Sequence, residues 1–398
     1  MVEARRKTRA ALRRLYNAAV LGFGLLLAVP LRLLSPLWRI EIQRLRAERI
    51  GHLAIEPELF LSVRDVSPVS RTTTLFYSTQ PVSNDFLLDA WRRVLPHGPA
   101  WLLKPIDDAA SRFSWLDLRP RDWCADHLDL RPLEASGRHI HFSPDEQQRG
   151  EDLLRELGVM VGQPFVCLAV RDSAYLAEVL PDRDWTYHDY RDSAIGTYVP
   201  MAEWLADQGY AVVRMGAVVR DALESVRPSV IDYARSGLRS DFGDVYLFAH
   251  CAFCITTSTG VDSLAMAFRT PMGIVNLAAR GGLQVGDHLR LVMFKKAVDI
   301  TTDEPLHIDS PEFAKVLGLT RTGDFRAAGV RLVDNTPDKL RDFAAEMLSV
   351  LDSWSSLSTT PDPQRDGLIV ALGDGPDLSS ATFRIAKAGT NPISPTTS

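Results

Sequence analysis

"YLFAHCAFCITTSTGVDSLAMAFRTPMGIVN", residues 246–276, decides how this chain is read. An apolar run ends in the polar turn Thr256-Thr257-Ser258-Thr259-Gly260. Asp262 and Ser263 open a short helix over 262–268, and Pro271 leads into a second apolar run, "MGIVN". The pattern predicts strand, turn, helix, strand, and strands alternating with helices build parallel sheets. Ligands of such sheets bind at the carboxyl ends of the strands, where this turn would lie. Free N–H groups at the helix start, a glycine that admits close approach and the hydroxyls of Ser258, Thr259 and Ser263 suit an anion such as phosphate. The turn is neither a Walker A loop, for no lysine follows, nor a G-x-G-x-x-G fingerprint, which disfavours a dinucleotide-dependent dehydrogenase.

Working outward, "FVCLAV" (165–170) predicts another buried strand that ends at Arg171-Asp172-Ser173. A helix with Met201, Trp204 and Leu205 on one face and Gly209 after its end precedes the strand Ala211–Met215, closed by Gly216. "SVIDYA" (229–234) supplies a further strand, and Pro144-Asp145-Glu146 opens a helix that runs to Leu157 and stops at Gly158. Towards the N-terminus, "RIGHLAIEPELFLSV" (49–63) predicts a strand with a Gly-His corner at His52. Leu75–Tyr77 and "PAWLLKP" (99–105) read as short strands around a helix that carries Phe86, Leu87, Ala90 and Val94. "NTPDKLRDFAAEMLSVL" (335–351) predicts a capped amphipathic helix, and the chain turns Ser/Thr/Pro-rich after about 354, with a mobile end expected.

The 398 residues suffice for two domains, and 46% hydrophobic with 24% charged residues is ordinary for a globular protein. Net charge is −5, unevenly spread: residues 1–49 carry +8 and the remainder −13. That asymmetry predicts an anionic surface near the N-terminus, not nucleic acid along the body. Residues 15–31 are uncharged, seventeen positions at the lower limit of a spanning helix, with basic residues on both sides. An in-plane or re-entrant anchor on anionic lipid is the preferred reading, with a true span and a buried helix as alternatives. A signal peptide is disfavoured because Pro30 and Arg32 spoil the cleavage position. Cys124, Cys167, Cys251 and Cys254 provide one C-x-x-C inside a strand-like run and no second pair, so buried thiols are expected rather than a metal site.

The densest polar stretch is "LAVRDSAYLAEVLPDRDWTYHDYRDS" (168–193). Its Arg-Asp pairs, three tyrosines, Trp185 and His188 exceed what a linker needs. Arginine forks onto phosphate or sugar oxygens, with aromatic rings as walls, are the functional reading; a solvated loop of weak ion pairs is the bland one. Arg214, at the end of the 211–215 strand, reads either as a second phosphate ligand or as an ordinary ion-pair partner.

From about Arg49 to Asn276 the chain resembles a bacterial family of glycosyltransferases. The resemblance lies in Ile50-Gly51-His52-Leu53-Ala54, Val170–Leu176, Asp184–Ser193, Arg214-Met215-Gly216 and Asp241–Asn276. The last block is also similar to the nucleotide-diphosphate site of heptosyltransferases. The resemblance implies a GT-B-like α/β fold, two Rossmann-like domains facing a cleft. It does not extend to residues 1–48, whose own charge and apolar run predict an N-terminal membrane-associating segment at the cytoplasmic face of the inner membrane. It implies a nucleotide-sugar donor, no obligatory metal and work on cell-surface polysaccharide; a glycan or lipid-linked acceptor and no other cofactor are expected with it. The expected organisation is a membrane-associating segment 1–48, an acceptor-side domain 49–160, a nucleotide-sugar domain 161–353 and an extension 354–398.

The residues expected at the substrate are Arg171, Ser173, Tyr175, Asp184, Tyr187, Arg191, Asp192, Arg214, Gly216, Asp241, Thr257, Ser258, Thr259, Gly260, Asp262 and Ser263. Asp172, His188 and His52 are the candidate bases for an acceptor hydroxyl. A nucleotide-sugar epimerase of the same fold and a non-catalytic membrane-bound scaffold for polysaccharide assembly are the alternative readings.

Overall fold

A computed structural model of the chain describes residues 2–121, 123, 130–174, 178, 184–278, 290–307, 310–357, 369–372 and 382–385. Tyr175, Cys124 and most of the expected mobile tail lie outside the described residues. The chain divides into two compact units, 1–126 with 139–141, and 127–138 with 142–398.

The first unit runs α1 (Val2–Leu34), β1 (Arg39–Leu45), α2 (Ile50–Val66), β2 (Thr72–Ser78), α3 (Asp85–Val94) and α4 (Ala100–Ala110). Among the described residues its sheet is the parallel pair β1–β2. β1 falls within the stretch expected to be purely membrane-associating, and it is a working strand of this unit. Two expected strands are helices. Residues 50–66 form α2, in which every residue from Leu53 to Phe60 is buried. Polar Glu56 and Glu58 are buried with their apolar neighbours and Pro57 stands inside the helix, so the segment carries no one-sided apolar stripe by which periodicity could mark it as helical. "PAWLLKP" opens α4 behind Pro99, and the period becomes visible only with the following residues: Leu103, Ile106, Ala109 and Ala110 form the buried face.

The second unit holds one eight-stranded sheet in the order β11-β12-β8-β7-β6-β3-β4-β5. Its strands are β3 (Phe165–Ala169), β4 (Ala211–Arg214), β5 (Val230–Ile231), β6 (Phe253–Thr256), β7 (Met272–Leu277) and β8 (Arg290–Phe294), then β11 (Ile369–Leu372) and β12 (Thr382–Ile385). β3 to β8 are mutually parallel. β12 joins the β8 edge antiparallel, and β11 pairs with β12. The Ser/Thr/Pro-rich composition beyond 354 hides these two strands; the open edge of β8 provides the pairing that their four residues could not sustain alone. Strands β9 (Lys296–Asp299) and β10 (Val330–Val333) make a separate antiparallel pair.

The helices of this unit follow their sequence signals. After the single turn α5 (Arg131–Glu134), α6 (Pro144–Glu156) starts from a capping box in which Ser143 and Glu146 bond each other's backbone N–H. Next come α7 (Val199–Asp207), α8 (Asp241–His250) and α9 (Asp262–Ala267), then α10 (Pro311–Leu317), α11 (Thr322–Ala327) and α12 (Pro337–Leu357). α7 and α12 cover one face of the sheet, where Met201, Leu205, Phe343 and Met347 pack against Val212 and Phe253 in one core. Cys167 and Cys254 sit opposite each other on β3 and β6, buried and without a disulfide. Burial pushes the Cys167 thiol well up, so it stays protonated and inert.

Candidate active site at the sheet switch point

Strand order places the site. From β3 the chain builds outward through β4 to β5, then returns to the other side of β3 and builds β6, β7 and β8. The direction reverses between β3 and β6, and the crevice outside that reversal is where open α/β sheets bind ligands. Two connections flank it: 170–174 after β3 and 257–261 after β6. The Arg171 N–H donates to Thr257 Oγ1 at 2.9 Å and ties the two together.

The 256–262 turn is clasped from within. Asp262 is buried and accepts from Thr256 Oγ1 at 2.6 Å, Thr259 Oγ1 at 3.0 Å and the Thr259 N–H at 2.9 Å. The Ser258 N–H is taken by Thr256 Oγ1 at 3.0 Å, with Ser258 in the left-handed region at φ 60°. Two of the amides expected for an anion are therefore consumed by the turn itself. Gly260 is exposed, and among the described residues neither its N–H nor that of Val261 has a partner. Burial pushes the Asp262 carboxyl up to about 6, against the pull of its three donors and of nearby Arg191.

One guanidinium group bonds this turn, and a second lies close enough to act on the first electrostatically. Arg191, from the 3-10 helix 186–191, donates to the Ser258 carbonyl oxygen. Arg171 pairs through Nε with Asp192 Oδ1 at 3.2 Å. Burial holds the Arg191 pKa down, and the positive charge of Arg171 pushes the same way. Asp192 is pushed up by burial, with Arg171 opposing. Half-buried like charges beside an exposed turn form a place where an arriving anion relieves repulsion.

Arg214 is not part of this group. Its side chain is 1% exposed and bonds Asp232 Oδ1 at 3.0 Å, while Asp232 also accepts the Leu223 N–H at 2.9 Å. The ordinary ion-pair reading of Arg214 is the one the structure shows. The arginine that does reach the turn, Arg191, stands in the dense 168–193 stretch, and only the pairing of β3 with β6 reveals the distinction.

The other expected residues are scattered in role. Asp172 accepts an amide on each oxygen, Oδ1 from Ala174 N–H at 2.9 Å and Oδ2 from Arg220 N–H at 3.0 Å, and straps the loops after β3 and β4 together. Asp184 caps the 3-10 helix through the Thr186 N–H and hydroxyl, which hold its pKa down. His188 lies in a ring cluster, 4.0 Å from Tyr187 and 6.4 Å from both Trp185 and Tyr190. Tyr190 stacks on Phe325 of α11 at 4.9 Å, so this aromatic segment is moored to the body. Gly216 follows β4 with φ 155°, and an added Cβ would lie 2.5 Å from Val219 Cγ1. Asp241 begins α8 beside Arg239 at 3.7 Å, away from the turn's bonding network. Ser173, on the connection after β3, and Ser263, in the first turn of α9, are partly exposed. His52 is in the other unit, in the first turn of α2, with Nδ1 3.0 Å from buried Glu56. It occupies no strand-end corner, because its segment is helical.

A buried polar network behind the site escaped the sequence reading. Asn276, at the end of β7 with φ 53°, donates to Ser193 Oγ at 3.1 Å and Tyr198 Oη at 2.8 Å. Its Oδ1 accepts both the backbone N–H and the side-chain amide of Asn335, each at 2.7 Å. Lys295, after β8, donates to the Asp192 carbonyl at 2.7 Å and pairs with Asp334 Oδ1 at 2.8 Å. Lys295 and Ser193 thus brace both sides of Asp192, the partner of Arg171. The one signal available in sequence was Asn276 itself, a polar residue terminating a fully buried strand. Among the described residues no cluster of three or more His, Cys, Asp or Glu side chains has metal-holding geometry.

The sequence matches no family model and no curated protein. Three-dimensional comparison finds solved structures of low similarity. A glycosyl transferase of family 9 from Veillonella parvula shares 9% identity over 60% of this chain and 80% of its own, with a TM-score of 0.37. The Escherichia coli ADP-heptose heptosyltransferase II shares 12% over 80% and 99%, with a TM-score of 0.40. The E. coli heptosyltransferase WaaC with ADP shares 13% over 61% and 88%, with a TM-score of 0.26. The chain is an α/β protein with a parallel sheet, and the turn at its switch point is bonded by Arg191.

Proposed function

We propose that the protein is a glycosyltransferase of GT-B-like organisation that takes a sugar from a nucleoside-diphosphate donor and passes it to a glycan or lipid-linked acceptor at the cytoplasmic face of a membrane. The observation that carries the reading is the Arg191 guanidinium on the Ser258 carbonyl oxygen, with the Arg171 backbone tied to Thr257 and the Arg171 guanidinium held by neighbouring Asp192, beside the β3/β6 reversal. A departing diphosphate would lie over the Gly260 and Val261 amides. The unengaged nitrogens of the two guanidinium groups would neutralise its growing charge, an arrangement suited to leaving-group stabilisation by fixed donors. Trp185, Tyr187 and Tyr190 would wall the sugar or base. His188 is the preferred general base, since both Asp172 oxygens accept backbone N–H groups and His52 is turned onto Glu56.

A thermal-shift screen against UDP-, GDP-, ADP-, CMP- and dTDP-sugars tests this. Ligands that bind the native state alone raise the melting temperature by mass action. At least one diphosphate donor should do so, and Arg191→Ala should shrink the shift at the same donor concentration, as a roughly 10- to 100-fold weaker affinity requires. His188→Gln should keep the shift and lose sugar transfer. A flat response to every donor, or a response that survives loss of both arginines, removes the assignment.

A further inference from the structure

We propose that α1 lies in the plane of an anionic bilayer, its apolar stripe in the lipid and the first unit mounted on its opposite face. This assignment stands on the first unit alone and is independent of what the second unit binds.

The two faces of α1 are legible residue by residue. Leu12, Leu15, Ala19, Leu26 and Leu33 recur at helical spacing along one side, and Leu15, Leu26 and Leu33 are exposed at 69%, 70% and 72%. On the opposite side, Arg9, Arg13 and Asn17 lead into Gly24 and Ala28. Arg13 and Gly24 are eleven positions apart, three helical turns, and therefore share one line along the helix. Gly24 and Ala28 are where α1 meets α4. A Cβ on Gly24 would come within 2.1 Å of the Pro105 carbonyl oxygen, and Ala28 is 0% exposed among Ile106, Ala110 and their neighbours.

The same packing excludes a span. The stretch Thr8–Leu34 is long and apolar enough to cross a membrane by length and composition. Its second half, however, docks on α4 along one face, through Gly24 and Ala28. Only residues 8–23 precede the docked segment, about 24 Å of helix against a hydrocarbon core of about 30 Å, and they include Arg9, Arg13 and Arg14. Spanning would strip Ala28 and Gly24 from α4 and carry arginines into the lipid.

Further exposed apolar groups surround the docked half. Trp101 in the first turn of α4 is 72% exposed, Trp115 is 57% exposed, and the Trp115 carbonyl accepts from Arg32 Nε at 2.9 Å. Tryptophans near a helix of this kind suit the headgroup boundary. The +8 charge of residues 1–49 supplies the complement to anionic lipid.

The test is flotation of the full-length chain with phosphatidylcholine vesicles, with or without about one-third phosphatidylglycerol. The protein should float with anionic vesicles at least roughly tenfold better than with neutral ones, and an alkaline carbonate wash should release it. Leu15→Asp with Leu26→Asp should bring flotation to background with an unchanged melting temperature, since both side chains are exposed. A thiol-reactive dye on the Leu26→Cys variant should shift to the blue on anionic vesicles only. Resistance to carbonate would overturn the proposal in favour of a span. Absence of flotation, together with a concentration-dependent dimer that the double variant dissolves, would overturn it in favour of a second copy as the occupant.

Discussion

The Arg171 backbone N–H and the Thr257 hydroxyl oxygen lie 2.9 Å apart across the point where the sheet reverses its winding. This bond fixes the loop after β3 to the turn after β6, so that Arg171 and the clasped turn form one rigid wall. With Arg191 on the Ser258 carbonyl, three segments far apart in sequence converge on a few exposed amides.

Thr257→Val keeps the shape of a buried β-branched side chain and removes the acceptor. Leaving the Arg171 N–H unpaired should cost about 1–2 kcal/mol and weaken donor binding, read by urea unfolding and by titration calorimetry. Thr257→Ser should restore most of both.

Arg171→Ala and Arg191→Ala should each weaken nucleoside-diphosphate binding by roughly 10- to 100-fold, the range for loss of a charge-assisted contact. The Arg171 variant should melt close to the parent because that side chain makes a single partly exposed pair. Calorimetric titration with the donor found in the screen, beside a thermal melt, separates the two effects.

Arg214→Ala should behave in the opposite way. It strands Asp232 beside a cavity in the sheet, and breaking a buried pair from one side costs about 3–5 kcal/mol. A large fall in the urea midpoint is expected. Whatever fraction remains folded should keep donor affinity.

Asp262 gives a pH signature of definite sign. Its folded-state carboxyl titrates at about 6, above the usual carboxylate range near 4. The native state therefore holds a proton that the unfolded chain releases, and stability falls as pH rises between those values. Relative to Asp262→Asn, the parent should lose on the order of 3 kcal/mol across that interval, a size that follows from about two pKa units. Donor binding should also tighten as pH falls through about 6, because protonation removes a negative charge beneath the turn. Unfolding and calorimetry at both ends of the interval check the two statements.

Legibility differed between the two units for a physical reason. In the second unit the strands of 165–170, 211–215, 253–256 and 272–277 are short continuous apolar runs bounded by turn residues, and helices with one apolar face separate them. Each segment states its own conformation. In the first unit α2 is enclosed on all sides and α4 starts from a run too short to show a period, so local pattern misassigned both. The site followed the same division. The 256–263 turn and the 168–193 cluster stand out by composition, whereas the network of Asn276, Lys295, Asp334 and Asn335 draws single polar residues from separate elements and leaves no spacing to detect.

The sequence by itself determined that the chain alternates strands and helices, that its polar chemistry gathers at two strand ends, and that its first fifty residues are cationic. Those properties belong to contiguous segments, where hydrophobic period and charge are local quantities. Tertiary structure alone decided which arginine faces the turn. Whether Arg191 or Arg214 is left to meet an anion depends on which carboxylate each finds on a neighbouring element, and a buried charge takes the partner that folding brings to it.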